Sequence, residues 1–295
     1  MAYIKHFSSL LSVGMLAIII NICAADFANK NVNADYREAS TFTTSQGNAL
    51  KKPVNASTEN VSSRLVSLGI NLRPGTEHRS DSKPTAQSST WCKSLVYKTL
   101  MALPTNHINQ LKELTLFYTN DGRRGLGGNG EIILRCKNVS ESELVSVLVH
   151  EVGHLVDSGY LVGYSPQDET SFSGFYDFGD PVGDSDASAK FYKISWTNEK
   201  EMRSNALNVD FVSLYGKTDP FEDFAETYTY YRLHGAEFRK LMSTSDYLQQ
   251  KYNFMKYKVF DGEEYGESEN PGKINIWIRN YDVTVLPFIL KKFLG

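Results

Sequence analysis

The residues with the clearest chemical potential are His150-Glu151-Val152-Gly153-His154. Two histidines four positions apart on a helix lie on one face, about one turn apart, and can bind a single metal ion. Neutral imidazole suits zinc, and the glutamate beside the first histidine can face a water molecule bound to that zinc. This spacing is typical of metalloproteases, in which the glutamate is the general base. Roughly one chain in a hundred of this length would contain the pattern by chance, so the residues around it decide how much weight it carries.

The surroundings predict a well-bounded helix. Ser140 and Glu143 form a capping-box pattern, which satisfies backbone N–H groups at a helix start. Apolar residues at helical spacing mark a buried side that continues to about Asp157. Further helices are predicted over Phe221–Leu233, over 236–256 and, more weakly, around 199–212.

Two strands are predicted before this helix. Leu114–Tyr118 alternates in polarity and is β-prone, and Glu131–Leu134 is the second strand, at which we expect an extended substrate to pair its backbone. Residues 120–130 between them contain five glycines and are predicted to be a loop. Residues 158–190 are predicted to be a long surface excursion, and 274–289 to contribute one or two strands.

A catalytic zinc needs a third protein ligand and an open position. The metzincin extension is excluded, because Asp157 and Tyr160 stand where that pattern requires glycine and histidine. The best source is residues 219–226, where a helix opens with Asp-Pro and places Glu222 and Glu226 on one face. Acidic first turns are also common simply because they complement the helix dipole.

The second motif carries a family resemblance. Ser213-Leu214-Tyr215-Gly216-Lys217-Thr218 followed by Glu222-Asp223-Phe224-Ala225-Glu226 resembles the anthrax lethal-factor-like zinc peptidases, which include secreted Pro-Pro endopeptidases. Their pattern is HExxH, then a tyrosine seven residues before a glutamate ligand, then a second glutamate four residues later. The resemblance covers roughly residues 91–252, and the interval between the two motifs is longer here than is typical of the family.

The resemblance implies an α+β, zincin-like fold and a role for each motif residue. Glu222 would be the third ligand of one Zn²⁺ ion beside His150 and His154, and Tyr215 would direct its phenol toward the reaction oxyanion. Glu226 would hydrogen-bond a ligand histidine and orient it. An aspzincin-like arrangement with Asp219 or Asp223 as the ligand is a nearby alternative.

The N-terminus predicts export. Lys5 and His6 precede the apolar run Leu10–Ile22, and small residues before Asp26 suit a signal peptidase. An uncleaved anchor is disfavoured because the run is short for a bilayer. The expected organisation is a signal peptide at 1–25, a Ser- and Asn-rich flexible leader or pro-segment at 26–88, a zincin-like peptidase domain at 89–260, and a C-terminal extension at 261–295 packed on the domain or trailing it.

Export would leave Cys92 and Cys136 in an oxidising compartment, either extracellular or periplasmic, where a disulfide between them is expected; two buried free thiols are the alternative. With 34 acidic and 31 basic side chains, no nucleic-acid partner is indicated. We expect a monomeric endopeptidase acting on protein or peptide substrates, without stable membrane insertion. A secreted zinc-binding, toxin-like or surface interaction protein without proteolytic activity is the alternative. The acidic loop Asp177–Asp186 matches no EF-hand and is interpreted as solvated.

Overall fold

The computed structural model describes residues 60–74, 85–119, 123–161, 171–177, 179–266 and 279–295, all within a compact unit that runs from Ser57 to Gly295. The predicted signal peptide and most of the predicted leader lie outside the described residues. The helices are α1 (Val61–Ser67), α2 (Ala86–Met101), α3 (Thr105–Ile108), α4 (Glu141–Leu155), α5 (Ala187–Ser195), α6 (Pro220–Leu233), α7 (Gly235–Leu241), α8 (Asp246–Phe254) and α9 (Leu290–Leu294). The strands are β1 (Asn71–Pro74), β2 (Glu113–Phe117), β3 (Gly125–Gly128), β4 (Glu131–Arg135), β5 (Phe172–Asp177) and β6 (Asp180–Gly183).

The class is mixed α+β, as expected. The main sheet has the order β1-β2-β4-β3, in which β1, β2 and β4 are parallel and β3 runs antiparallel to β4. Leu114, Ile132 and Leu134 are buried beneath the helices. The β5–β6 hairpin forms a separate two-stranded sheet. Every helix in the described part of the chain is too short or too polar to cross a bilayer.

The sheet edge differs from the prediction. The strand expected to pair with substrate, Glu131–Leu134, lies inside the sheet between β2 and β3. The outer strand is β3, which falls within the segment predicted to be a loop. The prediction was wrong because glycine generally weakens strands. Here glycine is required by a close approach to α4: a Cβ built on Gly127 would lie 2.5 Å from the carbonyl oxygen of Glu151.

The folded domain begins earlier than the predicted boundary at residue 89. Leu65 and Ile70, which the prediction placed in the flexible leader, are buried in the core, and β1 pairs with β2. The start of α2 is capped by Thr85, whose hydroxyl accepts a hydrogen bond from the Ser88 N–H at 3.1 Å. A short apolar run inside a polar segment was therefore enough to join the core.

Several other segments differ from their predictions. Residues 158–190 contain β5, β6 and the start of α5, whereas 199–212 contain only a single 3₁₀ turn, Asn208–Asp210. The helix predicted over 236–256 is divided into α7 and α8 by a 3₁₀ turn at Met242–Thr244. Of the strands predicted over 274–289, the described residues 279–289 contain none and instead form a 3₁₀ turn, Val283–Val285.

Helix α4 starts as predicted and crosses α6 at very close range. The Ser140 hydroxyl accepts from the Glu143 N–H at 3.2 Å, and a π-helical turn, Val156–Tyr160, extends the helix at its end. At the crossing, a Cβ built on Gly153 would lie 3.0 Å from the Cα of Ala225. A glycine opposite an alanine therefore allows the two backbones to touch.

A disulfide joins Cys92 on α2 to Cys136 after β4, with the two Cα atoms 5.9 Å apart. This confirms the predicted pairing. It links the first long helix of the domain to the strand that precedes α4.

The disulfide closes a loop with a sequence separation of 44, so chain entropy predicts that its loss lowers the free energy of unfolding by about 4 kcal/mol. The test is urea unfolding of the parent with and without reductant, compared with a Cys92→Ser, Cys136→Ser double variant. Reductant should have no further effect on the double variant. Equal stability of parent and double variant would contradict the prediction.

Gly153→Ala should force α4 and α6 apart and lower the free energy of unfolding by about 1–3 kcal/mol, because the added methyl meets backbone. Gly159→Ala is the matched control: its Cβ would meet the flexible end of the Gln110 side chain at 3.0 Å, which can move aside. Chemical denaturation of both variants tests this, and a Gly153→Ala protein as stable as the Gly159→Ala protein would refute it.

Candidate metal centre

The α4–α6 crossing brings the two sequence motifs together. His150 Nε2 lies 3.1 Å from Glu222 Oε2, and His154 Nε2 lies 3.5 Å from the same oxygen. The two imidazole rings are edge to face with centroids 4.9 Å apart. Three potential ligand atoms from two helices therefore converge on one small volume.

The two imidazole–carboxylate separations are compatible with a shared zinc ion. Ligands about 2.0–2.2 Å from zinc in tetrahedral geometry lie about 3.4 Å from each other, close to the 3.1 and 3.5 Å between Glu222 Oε2 and the two Nε2 atoms. Glu222 Oε2 is buried and makes no well-aligned hydrogen bond within the described chain, although both imidazole Nε2 atoms lie within 3.5 Å of it. A cation bound at this point would satisfy it.

Glu151 belongs to the same cluster. In the part of the chain that the structure describes, His150, Glu151 and His154 form the one compact group of three metal-ligating side chains, with ligand atoms within 4.8 Å of one another. That grouping omits Glu222, although Glu222 Oε2 lies 3.1 Å from His150 Nε2. The contacts of this one oxygen with both histidines favour Glu222 over Glu151 as the third member of a ligand set.

Glu151 lies against the edge strand. Its side chain is buried, and a Cβ on Gly125 would lie 2.2 Å from its Oε1 and 2.7 Å from a methyl carbon of Val147, so glycine leaves space that a larger residue would fill. Burial raises the pKa of Glu151, while the charges of His150 and His154 oppose that shift. A carboxylate with a raised pKa is a better proton acceptor in a hydrolytic reaction.

Glu226 orients the first histidine. Its Oε1 lies 2.9 Å from His150 Nδ1, and its Oε2 accepts a hydrogen bond from the Val283 N–H at 2.8 Å. With Nδ1 occupied by the carboxylate, the lone pair of His150 Nε2 faces Glu222 and His154. Glu226 is fully buried, and both its oxygens have partners.

Tyr215 lies on the other side of the cluster. Its hydroxyl donates to Glu222 Oε1 at 2.9 Å, and its ring stacks on His150 with centroids 6.1 Å apart. Burial, followed by the negative charge of Glu222, raises the pKa of Tyr215. The phenol therefore remains protonated and available as a hydrogen-bond donor.

The alternative carboxylates have other partners. Asp219 caps α6, where its Oδ1 accepts from the N–H groups of Phe221 at 3.0 Å and Glu222 at 2.8 Å. Asp223 is fully buried, forms an ion pair with Lys251 at 2.8 Å and accepts from the Trp196 indole N–H at 3.1 Å. These contacts favour Glu222 over both aspartates as the third ligand.

The C-terminal segment Arg279–Leu286 completes the surroundings of the site. From the sequence we predicted only that residues 261–295 pack on the domain or trail it, and not that they contact the site. Besides Val283, the Tyr281 carbonyl accepts from the Tyr215 N–H at 2.6 Å, and Asp282 pairs with Arg124 beside β3. One segment thus contacts α6, the Tyr215 turn and the edge strand. No spacing or composition signal links residues so distant in the chain.

His107 and the acidic loop have structural partners in the described chain. His107 is buried, with its ring nitrogens 2.9 Å from the Tyr228 hydroxyl and 2.8 Å from the Val259 carbonyl. Within the acidic loop, Asp184 pairs with Lys193, and Asp186 accepts from the Gly183 N–H at 2.9 Å. Neither site resembles a metal centre.

Comparison with protein-family models, with curated proteins and with solved structures found no match to this chain. The resemblance to lethal-factor-like peptidases therefore rests on the two motifs and on their meeting in space.

Glu226→Gln should lower zinc affinity about 10–100-fold, because an amide orients His150 less strongly than a carboxylate does. Competition titration with a chromophoric chelator measures this directly. Glu141→Gln, on the exposed first turn of α4, is the matched control and should bind zinc as the parent does. An unchanged zinc affinity in Glu226→Gln would contradict the proposal that Glu226 orients His150.

Proposed function

We propose that this protein is a zinc-dependent endopeptidase of the lethal-factor-like type. The observation that supports this best is the unpartnered, buried Glu222 Oε2, which lies 3.1 and 3.5 Å from the Nε2 atoms of His150 and His154. Together with the two imidazole nitrogens, this buried oxygen forms a ligand set of two nitrogens and one oxygen. That composition occurs in catalytic zinc sites.

The reaction follows from the neighbouring groups. His150, His154 and Glu222 would hold the zinc ion, which would make a bound water molecule more acidic and polarise the scissile carbonyl. Glu151 accepts the proton of the attacking water and transfers it to the leaving amine. Tyr215, protonated and beside Glu222, donates a hydrogen bond to the carbonyl oxygen as negative charge develops there.

The edge strand β3 offers a place for an extended peptide. Since the Arg135 N–H donates to the Arg124 carbonyl at 3.0 Å, the antiparallel register directs the backbone groups of Gly125 and Gly127 away from β4. Both glycines lie against Glu151. A peptide that pairs with this edge would pass directly beside the proposed base.

A second candidate function is a secreted zinc-binding or surface interaction protein without catalysis. Such a protein would need neither Glu151 nor Tyr215. Both side chains lie beside the ligand cluster, which favours an enzyme over a non-catalytic binding protein. We further propose that the protein is exported and monomeric, with a protein or peptide as its only macromolecular partner.

Glu151→Gln should retain zinc and lose peptide cleavage by at least about 100-fold, because the ligands remain while the proton acceptor is removed. Incubation of the purified protein with a degenerate peptide library, with and without chelator, followed by mass spectrometry measures cleavage. Glu141→Gln on the same helix is the matched control and should cleave normally. A Glu151→Gln protein as active as the parent would show that the base has been misassigned.

Tyr215→Phe should bind zinc like the parent and lower kcat by about 100-fold, with a smaller change in KM, because the lost hydrogen bond forms mainly in the transition state. Steady-state kinetics on a peptide selected from the library test this. If KM alone changed, Tyr215 would contribute to substrate binding and not to charge stabilisation.

A further inference from the structure

A cavity of about 280 Å³ lies at the end of α6 opposite to the candidate metal centre. Arg232, in the last turn of α6, lines it together with aromatic residues that include Tyr265, Phe288 and Phe293. Positions 222 and 232 of this helix are separated by about 15 Å along its axis, at 1.5 Å per residue. The cavity is therefore distinct from the site at Glu222.

The loop that forms one wall of the cavity is fixed by the fold. The Tyr231 hydroxyl donates to the Glu263 carbonyl at 2.6 Å, and Arg239 Nη1 donates to the Tyr265 carbonyl at 3.2 Å. A Cβ built on Gly235 would lie 1.7 Å from the same Tyr265 oxygen, so this close approach requires glycine. The wall is thus formed before any ligand binds, as is usual for small-molecule sites.

The guanidinium of Arg232 has more hydrogen-bond donors than partners. Its Cζ lies 4.1 Å from the ring centroid of Tyr265 and 4.4 Å from that of Phe293, which places the charge at the two rings that line the cavity. Aromatic faces attract the cation but do not replace acceptors for its five N–H groups. Among the described residues, its one hydrogen bond runs from Nη2 to the Ala102 carbonyl at 2.6 Å, and Nε is buried without a partner.

The nearest carboxylate of the lining is occupied by other groups. Glu264 pairs with Lys256 at 3.2 Å and accepts from the Tyr252 hydroxyl. Within the described chain, Arg232 has ring contacts and a backbone acceptor but no ion pair. Burial lowers the pKa of Arg232, the direction expected for a cation without an anion in contact. Because charges removed from water are normally paired, this guanidinium is a candidate binding group for an anion.

The remaining lining selects the kind of anion. Arg232 and Lys292 contribute two positive charges and Glu264 one negative charge, so the lining carries a net charge of +1, which a monoanion balances. A guanidinium presents a planar pair of donors that matches the two oxygens of a carboxylate. The apolar walls suit a ligand with an apolar body, and the volume, at the low end of the roughly 300–1,000 Å³ of small-molecule sites, limits its size.

We propose that this cavity is a binding site for a small organic monocarboxylate with an apolar body, anchored by the guanidinium of Arg232. The rings of Tyr265, Phe288 and Phe293 would contact the body of the ligand, and the exposed Lys292 would add attraction from α9. The site does not depend on the proposed peptidase function.

The test is isothermal titration calorimetry of the purified protein with benzoate, phenylacetate and hexanoate, each compared with its neutral amide. At least one carboxylate should bind at least about tenfold more tightly than its amide, the effect of hydrogen bonds to a charged group. Arg232→Met should abolish that preference. Lys292→Gln should weaken carboxylate binding about two- to fivefold, as expected for an exposed charge. Lys291→Gln is the matched control: it removes an equal charge from the same helix outside the lining and should bind as the parent does.

Each other outcome overturns the proposal. Equal affinities for every carboxylate and its amide, or no saturable binding at millimolar concentration, would refute an anion site for this class of ligand. Tighter binding of inorganic phosphate than of all three carboxylates would refute the choice of a monocarboxylate. Parental affinity in both Arg232→Met and Lys292→Gln would show that the anion binds elsewhere, for example at a metal ion. Lys292 is exposed, so its variant should fold even if Arg232→Met does not.

Discussion

The close crossing of α4 and α6 is the constraint on which the site depends. The space between the helices at Gly153 and Ala225 is so small that a Cβ added to Gly153 would lie 3.0 Å from the Cα of Ala225. This proximity places a glutamate oxygen of α6 within 3.5 Å of two imidazole nitrogens of α4. Metal ligands tolerate errors of about 0.2 Å in bond length, so a separation wider by one methyl group would move the proposed third ligand out of reach.

Several buried carboxylate oxygens around the crossing accept hydrogen bonds, and two oxygens are exceptions. Both oxygens of Glu226 and one oxygen of Glu222 accept hydrogen bonds, from His150, Val283 and Tyr215. The remaining Glu222 oxygen and one oxygen of Asp157 have none within the described chain. An unsatisfied buried carboxylate destabilises a fold, and this cost is one reason for proposing a cation beside Glu222. Both exceptions lie on the same side of the molecule, beside β3 and α6.

Strand β3 and the C-terminal segment Arg279–Leu286 both contact the candidate metal centre. The glycines of β3 allow the strand to pass over Glu151, and the segment around Val283 joins Glu226, Tyr215 and Arg124. The fold thus surrounds the two motif helices on both sides. The groups of the proposed site are positioned by elements that contribute only backbone atoms or hydrogen bonds.

The sequence by itself determined the features that depend on short-range periodicity and capping. These include α4 with its histidines on one face, α6 with its Asp-Pro start, and the strands beside Leu114 and Ile132. Cysteine usage, together with the predicted export signal, also indicated the disulfide between Cys92 and Cys136. Only the tertiary structure decided that β3 forms the edge, that residues near Leu65 join the core, and that Val283 reaches Glu226. Those arrangements depend on contacts between residues far apart in the chain, where the space left by one backbone for another outweighs the intrinsic preference of any single residue.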